Sequence, residues 1–172
     1  MKALIMVLLF GLTSLGFAQS NHGIFDGIIL EDVVVTPLNM DYLNTVRDEW
    51  TPKKALQLQE RAARFDIRDT EEFKDGLSPF AVEFYGSHGK IKAVYSEEGY
   101  IISAVERFKN IALPAAVMEM VCEEHPGWAI VADKYINQYS DNDIVKREYQ
   151  LKLSKDKLNK NITINLLAVV KE

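Results

Sequence analysis

Only a few places in this chain bring chemically capable residues close together. Cys122 and His125 are three apart, so on a helix they share a face and could both touch a metal. A structural zinc wants four ligands and the chain has no other cysteine; Met118, Val121 and Cys122 read instead as one apolar stripe. His88, in Gly86-Ser87-His88-Gly89-Lys90, is next to a serine, but the Walker pattern needs Ser or Thr after its Lys and Ile91 stands there, so the segment reads as a hairpin turn. Asp141-Asn142-Asp143 opens like a calcium loop, yet Val145 occupies a ligand position and no closing Glu follows. The acidic pairs Glu71-Glu72, Glu97-Glu98 and Glu123-Glu124 lie in turns or near a helix end. Neighbours in sequence point different ways there, so they are not paired glycosidase carboxylates. No G-x-S-x-G, H-E-x-x-H or G-x-G-x-x-G occurs. Asn161-Ile162-Thr163 matches the N-glycosylation pattern and equally suits a turn-to-strand junction.

Composition narrows the classes further. The 172 residues carry a net charge of −5 and a pI near 5.3, which argues against holding a phosphate backbone by charge, so nucleic acid is not an expected partner. Met1-Lys2, the apolar run to Phe17 and Gly16-Phe17-Ala18 before Gln19 predict a secretory signal peptide over residues 1–18. The run is too short to serve as a bilayer anchor, and no membrane span is expected after cleavage. Periplasmic or secreted localisation follows. Cys122 alone can form no internal disulfide.

The elements that would position any site follow a repeated order. Residues 19–50 read as an N-terminal extension with one strand, Ile28 to Thr36, ended by Pro37. Within it, Leu30 to Thr36 is similar to the extended segment before the plug of some TonB-dependent receptors and could add a strand to a partner. Thr51-Pro52 opens a helix through Phe65, with Thr51 as cap and Ala55, Leu56, Leu58, Ala62, Ala63 and Phe65 on its buried stripe. A polar break follows from Asp66 to Pro79. Strands Phe80 to Tyr85, Lys90 to Tyr95 and Tyr100 to Phe108 form a meander with Gly-containing turns. Leu113-Pro114 then opens a second helix to Glu124, and strands Trp128 to Tyr139, Ile144 to Leu153 and Asn161 to Val169 follow. The expected fold is α+β. Two helix-plus-three-strand antiparallel units, 51–112 and 113–172, carry their helices on one face of the sheet and leave the other open.

Alternation assigns the faces. Phe80, Val82 and Phe84 are expected inward, with Glu83 and Tyr85 outward. Ile130, Ala132 and Ile136 are expected inward, with Tyr135, Asn137 and Tyr139 outward. Val145, Tyr149, Leu151 and Leu153 oppose Lys146, Glu148, Gln150 and Lys152. A Tyr-rich outer face with few aliphatics suits recognition, so the candidate binding residues are Tyr85, Lys92, Tyr135, Asn137, Tyr139 and Glu148.

Gly89-Lys90-Ile91-Lys92-Ala93-Val94-Tyr95, Gly99-Tyr100-Ile101-Ile102-Ser103, Glu106 to Pro114, Pro126-Gly127-Trp128 and Asp133-Lys134-Tyr135 together resemble the PepSY-like exported proteins of Bacteroidetes-type bacteria. Their fold is similar to that of the β-lactamase inhibitory protein. The resemblance implies an extracytoplasmic binding or inhibitory module for an envelope protein or peptide, non-catalytic and without a cofactor. The alternatives are an envelope hydrolase, which would need His88 or His125 beside a carboxylate and a nucleophile, and a strand-adding assembly factor.

Overall fold

The computed structural model describes residues 37–75 and 80–169, and these belong to one compact unit. The expected signal peptide and the strand at Ile28 to Thr36 lie outside the described residues. In chain order the elements are α1 Met40–Val46, α2 Lys53–Arg64, a 3-10 turn Ile67–Asp69, α3 Glu71–Lys74, β1 Phe80–Gly86, β2 Gly89–Tyr95, β3 Ile101–Lys109, α4 Ala115–Glu124, β4 Ala129–Ser140, β5 Asp143–Lys155, β6 Leu158–Asn165 and α5 Leu166–Val169. The α+β class holds, and so does the order of helix and three strands given twice.

All six strands form one antiparallel sheet in sequence order. The two halves are joined edge to edge, because β3 and β4 pair from Ser103↔Ser140 to Lys109↔Lys134. Asp141 and Asn142 close the β4–β5 hairpin with positive φ at both positions (50° and 65°), the conformation of a tight turn that follows the sheet's twist. At Gly89 no side chain fits: a Cβ would lie 2.2 Å from the Arg107 carbonyl oxygen and 2.7 Å from the Phe108 ring.

Four local expectations need correction. Residues 40–46, placed in the extension, are helix α1, and Tyr42, Leu43 and Val46 bury into the core. Thr51 does not cap α2; its hydroxyl donates to Val46 O and bonds Asp48, and Pro52 is the capping residue. On α4, Val117 and Val121 are buried, whereas Met118 and Cys122 are exposed. The last strand begins earlier than expected, at Leu158, and Leu166–Val169 turn into a helix.

Sheet parity is reset by three bulges. Ile130 and Ala132 face successive residues of β5, so Val131 is extra; Gln138 and Tyr139 face Lys146 and Ile144, so Val145 is extra. Val94 and Tyr95 face Ser103 and Ile101, so Ile102 is extra. Each extra residue is thrown outward, and all three are exposed. Past Val131 the phase of β4 is inverted relative to Ile130. Tyr135, Asn137 and Tyr139 therefore point under the helices, at 0%, 0% and 2% exposure, while Ala132 is exposed. Val145, expected inward, is out, and Arg147 is in.

A polar row crosses the covered face in register: Glu106 of β3, Asn137 of β4 and Arg147 of β5. Glu106 is fully buried and accepts from Tyr42 Oη at 2.7 Å and Gln59 Nε2 at 2.8 Å, so helices α1 and α2 both bind this one carboxylate. Arg147 Nε donates to Asn137 Oδ1 at 3.2 Å. Its Nη atoms pair with Asp48 and donate to the carbonyls of Thr45 (3.3 Å) and Val46 (3.1 Å). The last turn of α1 has no basic residue of its own, so this sheet arginine supplies the cation that the helix C-terminus favours. Beside the row, Phe108, Tyr135 and Tyr149 pack with tilted rings at centroid separations of 6.5 and 5.0 Å. The Tyr135 hydroxyl meets no hydrogen-bond partner of good geometry among the described residues; the nearby Thr51 hydroxyl donates to Val46 O or Asp48 instead.

These hydroxyls should respond oppositely to removal. Tyr42→Phe strips a donor from a buried carboxylate and is expected to cost about 1.5–3 kcal/mol in urea unfolding. Tyr135→Phe removes an unpartnered polar group and should fall within about 0.5 kcal/mol of wild type or above it; an equal loss in both variants would contradict the assignment.

Burial pushes Glu106 up from the ordinary glutamate value, and the donors of Tyr42 and Gln59, then Arg147 and Asn137, oppose the rise without cancelling it. The native state thus keeps this proton to higher pH than the unfolded chain does. Its contribution to stability is complete below the unfolded glutamate value of about 4.3 and is lost as pH rises through the higher native value. The unfolding free energy of wild type minus that of Glu106→Gln should therefore fall from about pH 4 upward. A difference that grows with pH would show that Glu106 ionises more readily in the folded protein.

Candidate binding face

Helices α1, α2 and α4 lie on the same side as the buried row, and the opposite sheet face carries none of them. The positions on that open face follow from the register. One row runs Tyr85, Lys90, Arg107, Ile136 and Glu148; the next runs Glu83, Lys92, Val105, Gln138 and Lys146. A third begins Lys109, Lys134 and Gln150, and Lys152 stands beside Ala132 beyond it. In a protein of net charge −5, this face sets seven cations against Glu83, Glu148 and, at its end, Asp143.

The candidate residues divide by face. Tyr85 is 62% exposed, Lys92 is exposed and Glu148 is half-buried, all three on the open side. Tyr135, Asn137 and Tyr139 are core residues, so the expectation that they form an outer surface is wrong; the bulge at Val131 is the reason. Tyr139 packs edge-on against Tyr42 at 5.3 Å and donates to Asn142 Oδ1 at 2.7 Å.

Local contacts order part of the open face. Glu83 bonds the Tyr85 hydroxyl and takes Lys90 Nζ at 3.0 Å, while Lys90 also stands 5.5 Å from the Tyr85 ring centroid. The Tyr85 hydroxyl first, and Lys90 second, hold the Glu83 carboxyl below its usual value. Lys146 pairs with Glu148 at 3.1 Å, and Gln150 donates to the same carboxylate at 2.8 Å. Ile136 is 6% exposed although it faces out, in register between the long side chains of Arg107 and Glu148. Lys92, Arg107, Lys109, Lys134 and Lys152 form no ion pair among the described residues.

Arg107, Lys109 and Lys134 were missed by sequence reasoning, although a signal existed. Lys90 and Lys92, then Arg107 and Lys109, recur at period two in the phase opposite to the apolar residues. What the spacing cannot show is which strands pair. The register sets Lys90 opposite Arg107 and Lys109 opposite Lys134. These cations line a pocket of about 380 Å³ at the β1–β2 turn, walled also by Tyr85, His88 and Phe108.

His88 reaches that pocket with no carboxylate among the lining residues, and His125 Nδ1 lies 3.0 Å from Lys160 Nζ. Neither imidazole bonds an acid among the described residues. No group of three or more His, Cys, Asp or Glu side chains there could hold a metal, and no described helix is long and apolar enough to cross a membrane. No family model, curated protein or solved structure matches the chain.

Facing like charges destabilise a strand pair by roughly 0.2–1 kcal/mol. Lys134→Glu turns the repulsion with Lys109 into attraction and is expected to raise stability by about that amount in urea titrations at low salt, with the gain shrinking as salt is added. A loss of stability would mean that Lys134 already has a compensating interaction.

Proposed function

We propose that this is an exported, non-catalytic binding or inhibitory module that recognises a protein or peptide of the cell envelope through its open sheet face. The observation that carries the reading is the asymmetry of the sheet. One face is covered by three helices, and the other presents an exposed Tyr85, Lys92 and a line of cations with no ion pair among the described residues, over a six-stranded platform. Contacts placed on strands keep their geometry better than contacts on loops, and an aromatic among charged groups is typical of recognition surfaces. The resemblance of Gly89 to Tyr135 to PepSY-like exported proteins supports the same reading, as does the apolar N-terminal run, which speaks for a periplasmic or secreted protein.

Envelope extract passed over immobilised protein tests it. The triple variant Tyr85→Ala, Lys92→Ala, Glu148→Ala, checked for folding by circular dichroism, should lose a partner that both wild type and a Lys54→Ala control on the helix side retain. A partner held equally by the triple variant would place recognition elsewhere.

A further inference from the structure

Two facing like-charged pairs lie side by side in the open sheet: Lys90 with Arg107 and Lys109 with Lys134. Direct opposition of like charge weakens a sheet, and an uncharged strand-favouring residue such as Thr suits an exposed strand position without that repulsion. Lys90 recovers part of this cost through Glu83 and Tyr85, but the Lys109–Lys134 repulsion is a local cost without local benefit among the described residues, the kind of rule-breaking that marks functional surfaces. Three of the four cations, Arg107, Lys109 and Lys134, have no ion pair among the described residues. All four line the 380 Å³ pocket, and no Asp or Glu does. Positive potential is concentrated there while the chain as a whole is negative.

We infer that this pocket and the face around it bind an extended acidic segment of a protein partner, with carboxylates at alternate positions seated among Lys90, Arg107, Lys109 and Lys134. The inference rests on the open-face reading above and adds which chemistry the face selects. The spacing fits. Lys90 and Lys92, like Arg107 and Lys109, are two apart on one strand and so lie about 7 Å apart, the distance between alternate side chains of an extended chain. Lys92 on one side and Lys152 on the other carry positive charge past the pocket, which suits a segment better than a single small anion. Tyr85 and Phe108 add apolar wall for the residues between the acids.

The test is a ¹⁵N–¹H NMR titration of the purified protein with three probes: a twelve-residue peptide alternating Glu and Ser, the same peptide with Gln for Glu, and sodium tripolyphosphate. The Glu peptide is expected to shift the amides of Lys90, Arg107, Lys109 and Lys134. Its affinity should drop severalfold between about 20 and 200 mM salt, exceed that of the Gln peptide at least about tenfold, and fall at least about tenfold in Lys134→Glu. That variant should melt no lower than wild type, so its lost binding would not reflect unfolding. Equal shifts on this face with both peptides would overturn the acidic preference and leave the open-face reading standing. Tighter binding of tripolyphosphate than of the Glu peptide would overturn the peptide in favour of a phosphate ligand. Shifts confined to the helix side would sink both the inference and the reading beneath it, and no shifts with the Glu peptide would sink the inference alone.

Discussion

The fully buried carboxylate of Glu106 is the constraint around which the rest of the fold is arranged. An ionisable group at zero exposure is tolerated only when its lone pairs are occupied and a counter-charge is near. Tyr42 and Gln59 occupy them, and Arg147 supplies the charge two strands away through Asn137. The two donors come from different helices, so satisfying one carboxylate sets the positions of α1 and α2 relative to β3, while the strand ladders hold β4 and β5. A purely apolar face would allow the helices to slide; this row allows one arrangement. Such a row is weak evidence for net stability, since burying ions is costly, but breaking it leaves an orphaned charge.

Arg147 ties this row to the connection between the helices. Its guanidinium meets Asp48 and the last carbonyls of α1, while Arg47 reaches Leu56 O at 2.7 Å on α2. Because Glu106 belongs to the first three-strand unit and Asn137 and Arg147 to the second, the polar row and the β3–β4 ladder do the same work. They turn two half-sheets, each with only one coverable face, into a single six-stranded platform with a continuous core.

The open face is the counterpart of that economy. The residues that could have formed an aromatic outer surface, Tyr135 and Tyr139, are consumed by the core; the bulge that sends them inward throws Val131 outward, and the bulges on β5 and β3 do the same to Val145 and Ile102. What remains outside is mainly charge. Period two in β2 and β3 then places cations on one side only, and antiparallel pairing brings them opposite one another. The concentration of positive charge on a negative protein is thus a product of register, not of composition.

The α+β class, the repeated helix-and-three-strand order, the hairpin turns and the alternation of β1 were determined by the sequence alone, because hydrophobic period, Gly and Pro act over a few residues. Tyr85, Lys92 and Glu148 were placed correctly for the same reason: no bulge intervenes between them and the apolar residues that set their phase. Helix α1 was not legible, since seven residues with only Tyr42, Leu43 and Val46 buried give too little period to register. The faces of Tyr135, Asn137 and Tyr139, the burial of Glu106 and the facing of Lys90 with Arg107 and Lys109 with Lys134 were decided only by the tertiary structure. A bulge inserts one residue without a local mark, and a single residue reverses the side on which every later one stands. Which cation faces which depends on strand register, a contact between distant segments that no local spacing contains.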